Sequence, residues 1–487
     1  MTTSTARRSP KIPRWAGVTA TYLGSFFVLL LASMPKGFDT LTTAYQMSVL
    51  STSETARKVF GGSDAGSLLG AALSVHENHR LLGDTFGVYS FWPPGMVAVD
   101  TLLLEIEGAT GIPLVLLMVL ANCAAWAALI GTVFLVVRAR AGILPALLLV
   151  GFISVYSGLA AWGITSGLFF SDSFGAIGYC FSLLFLFMLV GAETRRRRLI
   201  LAAAAGVAFA AACYFRASYE LVSQIALIAS LGLLVIGLVV RRVQRTGVFG
   251  SRAIAISVPL VVMGIVSQIV LLPWRLYAGL KIHPGDFRWS TVSDLTSAAR
   301  WVPDKVLLES NGGFLIAGHS NWACISDAVE CKRIYDLEMT TSAPYSGGPD
   351  GYFTKAEFDH LTVQSVLSDP LRYLGERLNA LTFGFATNTG AGVGTFAVVE
   401  SIVIIAILVA TIVVLARKRS LLSPAPLFFL VATALQLATL ALIHMEARYF
   451  LGVELGIIIV GGLVLGDWWR QRRSSTTTPE VVTDVVT

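Results

Sequence analysis

The chain has 487 residues, of which 55% are hydrophobic and 14% charged, where soluble globular domains carry about 25% charged residues. That balance excludes an ordinary soluble domain. The net charge of +6 does not point to nucleic acid, because Lys and Arg gathered at one set of membrane-helix ends give the same excess.

A hydrocarbon core of ~30 Å needs about 20 helical residues to cross it, and that length sorts the apolar runs. The first run, 15–34, follows Arg7, Arg8, Lys11 and Arg14; it lacks a small-residue cleavage pattern and reads as a signal anchor. A polar stretch, 35–90, comes next. After Trp92-Pro93-Pro94-Gly95 a short apolar piece reaches Leu104, interrupted by Asp100, Glu105 and Glu107. It reads as an interfacial or re-entrant helix rather than a crossing. Spans are expected at 112–137, 142–162, 173–191, 198–215, 220–240 and 253–274. A long polar segment, 277–392, contains the amphipathic stretch 368–377, read as a surface helix opening at Asp369-Pro370. The last spans are 394–416, 424–443 and 447–466, and a Ser/Thr-rich tail reads as disordered.

The expected fold is therefore an all-α polytopic membrane protein of about ten transmembrane helices, with interfacial helices and a long extracytoplasmic loop. Its expected divisions are a cytoplasmic tail 1–14 and a transmembrane module 15–276 with a first extracytoplasmic loop 35–111. The long loop 277–392, C-terminal helices 393–470 and a tail 471–487 follow.

Charge sets the expected orientation. Arg138 and Arg140, Arg195 to Arg198, Arg241, Arg242, Arg245 and Arg252, Arg417 to Arg419, and Arg470, Arg472 and Arg473 fall at every second junction. By the positive-inside rule both termini are cytoplasmic, in a multi-pass plasma-membrane protein. All six histidines and most carboxylates then lie on the other side; Glu193, Asp467, Glu480 and Asp484 are exceptions. Cys123, Cys180 and Cys213 sit in apolar runs and read as small core residues. Cys324 and Cys331 share the long outer loop, where an oxidising compartment favours a disulfide.

Several ionisable residues stand where chemistry can occur. Asp39 follows the first span closely, at headgroup depth, where a carboxylate can deprotonate an acceptor hydroxyl or merely shape a turn. Asp172 opens a span and reads as a helix cap or a second acid. His76 and His79 share a helical face, but no third metal ligand stands at a telling spacing. Arg216, Arg275 and Arg448 lie at outer span ends, with His444 and Glu446 beside Arg448. Arginines suit a lipid phosphate; snorkelling, or pairing of Arg216 with Glu220 at i, i+4, is the plainer reading. Glu454 lies inside the final apolar run and must face protein or water.

Four motifs in this order resemble the glycosyltransferase C superfamily: Asp39 after the first span, Trp92 to Gly95 ending the first loop, the helix Pro370 to Arg377, and the turn Glu446 to Phe450. The resemblance spans most of the chain. It implies a membrane glycosyltransferase, inverting, moving a hexose or pentose from a polyprenyl-phosphate donor to a glycan, lipid or protein acceptor of the cell envelope. It implies Asp39 as base and Arg448 as a donor-phosphate contact. Several branches carry paired acids in the first loop, whereas Thr40 follows Asp39, which leaves a divalent metal (Mg or Mn) open. Membrane lipids are expected partners and nucleic acid is not. Two other classes stay in view: a transporter or flippase of a lipid-linked or anionic substrate, and a membrane scaffold whose outer loop binds a partner.

Overall fold

The computed structural model describes residues 17–31, 64–79, 93–156, 159, 171–216, 218–243, 248–282, 370–371, 395–418, 421–442 and 447–476. These residues are helical with short connections, and no strand occurs among them. In chain order the helices are α1 (Gly17–Leu31), α2 (Asp64–Asn78), α3 (Gly95–Thr110), α4 (Leu114–Ala141), α5 (Ile143–Val155) and α6 (Asp172–Val190). Then come α7 (Arg195–Phe215), α8 (Ser218–Val243), α9 (Val248–Tyr277), α10 (Thr395–Arg417), α11 (Pro424–Leu442) and α12 (Leu451–Thr476). A π-helical turn, Ala278–Ile282, extends α9, and a 3₁₀ turn, Ala447–Phe450, leads into α12.

Each of the ten predicted stretches contains an apolar helix. Seven are long and apolar enough to cross a membrane, while Gly17–Leu31, Ile143–Val155 and Pro424–Ala438 are shorter apolar helices. By length and composition, seven candidate spans and three shorter apolar helices thus stand among the described residues. The piece after Trp92 forms α3, whose 16 residues reach only about 24 Å. α12 runs to Thr476, past the boundary expected at 470. Arg470 Nη1 donates to the Arg140 carbonyl at 2.6 Å, which ties this last stretch to α4, and the Arg472 guanidinium lies over the ring of Trp468 in the same helix.

Burial follows one logic throughout. Trp126, Tyr179, Phe187, Phe209, Phe428 and Phe450 fill the interior. Leu144, Leu148, Ile228, Val239 and Ile402 point outward and are well exposed. In water so many exposed aliphatic side chains would drive aggregation; in lipid they are solvated. α12 is the most enclosed of the seven candidate spans. It packs against α4, α5, α6, α10 and α11, and Leu455 to Val460 are all buried. α6 lies along α7, α7 along α9, and α8 along α9. Tyr22 of α1 meets Thr132 of α4, hydroxyl to hydroxyl, at 2.8 Å.

Two glycines explain local geometry. Gly142 alone separates α4 from α5 and has φ +97, a conformation that L side chains rarely adopt. Gly95 opens α3 where a Cβ would sit 2.5 Å from the Tyr214 carbonyl oxygen. The Trp-Pro-Pro-Gly segment therefore ends in the one residue that lets α3 dock on the C-terminal end of α7. The two ends of the bundle differ in charge. Arg138, Arg140, Arg195 to Arg198, Arg241, Arg242, Arg417 and Arg470 mark one end, and Asp172, Arg216, Glu220, Arg275 and Glu454 mark the other.

Candidate functional site

The mixed-charge end forms where four helix termini converge. Asp172 occupies the first turn of α6 and is almost fully buried. Ser171 holds the N-cap position without a side-chain cap hydrogen bond, and the Asp172 carboxylate accepts from Arg216 Nη1. Arg216 caps α7 in an extended conformation, φ −142 and ψ 120, so its side chain leaves the axis of both neighbouring helices. Its guanidinium carbon lies 3.8 Å from the centroid of the Tyr449 ring, a cation–π contact. Tyr449 belongs to the 3₁₀ turn that also holds Arg448 in its backbone. The expected i, i+4 pair of Arg216 with Glu220 does not form. α8 begins only at Ser218, so Arg216 is outside the helix that would align it with Glu220.

Glu220 turns instead to α9. It is fully buried and accepts from Arg275 Nε at 2.9 Å, from Arg275 Nη2, and from Gln224 Nε2 at 3.1 Å. A polar seam continues inward between α8 and α9. Ser223 and Ser267 hydroxyls lie 3.0 Å apart, and Gln268 Nε2 donates to Ser223 at 2.9 Å. Such groups are expensive in hydrocarbon unless they satisfy one another; these do so except at Glu220 Oε2, which is buried without a hydrogen-bond partner among the described residues. The floor beneath is aromatic: Tyr179 stacks on Tyr219 at 5.4 Å, and Phe209 meets Phe428 edge-on at 5.1 Å.

Further buried polar groups surround this cluster. Glu454, in the first turn of α12, is fully buried and accepts from the Tyr156 hydroxyl. Trp126 Nε1 donates to the Ser173 hydroxyl at 2.8 Å, which donates in turn to Asn122 Oδ1 at 3.0 Å. Of the two expected surroundings of Glu454, protein or water, the structure shows protein. The contacts of Arg216 with Tyr449 and of Glu454 with Tyr156 had no sequence signal, since each joins residues far apart in the chain.

Asp39, His444, Glu446, Cys324 and Cys331 lie outside the described residues, as does nearly all of the 277–392 segment. Cys123, Cys180 and Cys213 are buried, as expected. Among the described residues no group of three or more His, Cys, Asp or Glu side chains is gathered as metal ligands would be. His76 Nδ1 instead lies 2.9 Å from Glu105 Oε1, tying α2 to α3, and His79 falls just past the end of α2.

In Asp100 both carboxylate oxygens are buried without a hydrogen-bond partner among the described residues, and burial holds its carboxyl well above the usual carboxylate range. A buried acid with a raised pKa binds its proton more tightly folded than unfolded. Its stabilising protonated form is fully present below the unfolded pKa and is lost as pH rises toward the folded one. Asp100→Asn is therefore expected to remove a fall in stability that sets in as pH rises above the ordinary carboxylate pKa. Thermal unfolding of the detergent-solubilised protein as a function of pH measures this; a parallel shift at every pH would contradict it.

Fold and composition define a multi-pass α-helical membrane protein with a buried cluster of arginines and carboxylates at one end of its helices. No protein family's sequence profile matches the chain, and no curated protein matches it. Among solved structures it is similar to the archaeal oligosaccharyltransferase AglB from Archaeoglobus fulgidus in complex with an inhibitory peptide and a dolichol-phosphate. The identity is 14%, the TM-score 0.43, and the match covers 85% of this chain and 48% of that one. The apo form of the Archaeoglobus fulgidus oligosaccharyltransferase matches with 13% identity and a TM-score of 0.45, over 94% of this chain and 52% of that one. A form tethered to an acceptor peptide matches with 14% identity and a TM-score of 0.39, over 79% and 42%. The chain spans about half the length of these proteins.

Proposed function

We propose that the chain is a membrane glycosyltransferase that takes a sugar from a polyprenyl-phosphate donor. The observation that supports this most is the pair of arginines, Arg216 and Arg275, held against buried carboxylates, with Arg216 also against Tyr449 of the turn that carries Arg448. Guanidinium groups at helix ends, backed by acids that fix their orientation, suit the phosphate of a lipid whose tail lies among the helices. The order of motifs from Asp39 to Phe450 supports the same reading.

In the proposed reaction an acceptor hydroxyl attacks the anomeric carbon as Asp39 takes its proton. The bond from that carbon to the phosphate oxygen breaks, and polyprenyl phosphate leaves with the bonding electrons. The configuration inverts in this single displacement. Charge on the leaving phosphate grows along the way, and Arg448, with Arg216 and Arg275, stabilises it more in the transition state than before. The acceptor is a glycan, lipid or protein on the extracytoplasmic side. The sugar is a hexose or a pentose.

Purified protein in liposomes, given radiolabelled polyprenyl-phosphate hexoses and pentoses with envelope extracts as acceptors, is expected to form a covalent glycosylated product. Glu454, buried within a candidate span, favours a second reading, a transporter of a lipid-linked substrate. Movement of label across the liposome without transfer would support that reading and overturn the first.

A further inference from the structure

At the arginine-rich end of the bundle, α7 and α9 leave an open groove of about 610 Å³ lined by Arg195, Arg196, Leu199, Ile200, Ala203 and Val262. That volume lies within the ~300–1,000 Å³ range typical of small-molecule sites. Five of these residues come from α7 at spacings of one, three or four, so they form a single stripe about 12 Å long. The stripe is charged at one end and apolar along the rest.

The charged end is unbalanced. Arg195 to Arg198 are all exposed, and Glu193 is the only carboxylate in the adjoining turn. All four sit in the first turn of α7, the positive end of its dipole, where cations are unfavourable and an anion is attracted. Thr194 accepts from the Arg197 N–H at 3.2 Å, and Arg198 Nε donates to the Ala192 carbonyl at 2.9 Å. Arg195 and Arg196 are the two that line the groove. Their aliphatic stems extend its apolar wall while their heads stay exposed. An occupant must therefore carry an anionic group at one end and hydrocarbon along about two helical turns.

We infer that this groove binds an anionic phospholipid of the surrounding leaflet, its phosphate between Arg195 and Arg196 and one acyl chain along Leu199, Ile200, Ala203 and Val262. The site lies at the end of the helices opposite to Arg216 and Arg275 and takes no part in the proposed transfer. Its occupant bridges α7 and α9, and α7 also carries Arg216 at its far end.

The test is lipid retention by native mass spectrometry. Full-length protein is delipidated in detergent and titrated with phosphatidylglycerol or phosphatidylcholine of identical acyl chains. Phosphatidylglycerol is expected to be retained in preference. Arg195→Gln with Arg196→Gln is expected to weaken that retention about thirtyfold, two basic contacts being removed. Arg241→Gln with Arg242→Gln, at the same end of the bundle but outside the groove, is expected to leave it unchanged. Equal retention of both lipids would overturn the inference, and so would equal losses in the two double variants, which would mean a diffuse basic belt. All four substitutions fall on exposed side chains, and size-exclusion profiles check that the variants stay folded.

Discussion

Asp39→Asn is expected to lower sugar transfer by about 10²–10⁴-fold, the usual contribution of a general base, with membrane insertion and protein level unchanged. The amide keeps the shape of the carboxylate and its capacity to accept a hydrogen bond, but it cannot take up a proton. An alcohol is almost entirely protonated near neutral pH, so its nucleophilicity in an inverting displacement depends on a carboxylate placed to receive that proton. The effect should fall on kcat, with KM for the donor little changed, because the donor phosphate is assigned to arginines and not to this acid. Radiolabel transfer in isolated membranes, normalised to protein by immunoblot, measures it. Transfer near the normal rate would remove Asp39 from the base position, and a loss confined to KM would make it a binding residue.

How far this arrangement could be read from sequence depends on the range of the force involved. Burial of apolar side chains is local in the chain, so all ten stretches appeared as predominantly hydrophobic runs and each contains a helix. The basic ends were equally legible, because a run such as Arg195 to Arg198 needs no partner to be recognised. Helix ends were less so: Arg138 and Arg140 announced the break between the second and third runs, but not that α4 runs on to Ala141 and turns at the positive φ of Gly142. Ion pairing was least legible. Sequence spacing suggested Arg216 with Glu220, the neighbour one helical turn away. The extended backbone at Arg216 removes that alignment, and each residue finds its partner on another helix, Asp172 for one and Arg275 for the other. Asp172 shows the same limit. Its place at a helix start is readable, while its engagement by a guanidinium 44 positions away depends on how α6 packs against α7.

That engagement makes the second large prediction. If Arg216 holds the donor phosphate, the phosphate must compete with the Asp172 carboxylate for the same guanidinium. Asp172→Asn removes the competing charge and keeps the shape, so KM for the donor is expected to fall, roughly tenfold. Arg216→Ala acts in the opposite direction on binding, raising KM by about 10–100-fold, the range for hydrogen bonds to a charged group. It also leaves a nearly buried carboxylate without its cation, which is expected to cost about 3–5 kcal/mol of stability. Measuring both variants separates the two roles of the pair. A purely structural ion pair would lower the unfolding midpoint in each case and leave KM for the donor where it was. A phosphate site instead requires opposite shifts in KM from two substitutions that break the same bond. Tyr449 gives the third arm of the comparison. Its ring lies against the Arg216 guanidinium and holds it in place whether the partner is carboxylate or phosphate. Tyr449→Phe should therefore preserve KM, since the ring face and not the hydroxyl makes the contact, whereas Tyr449→Ala should raise it in the same direction as Arg216→Ala but by less.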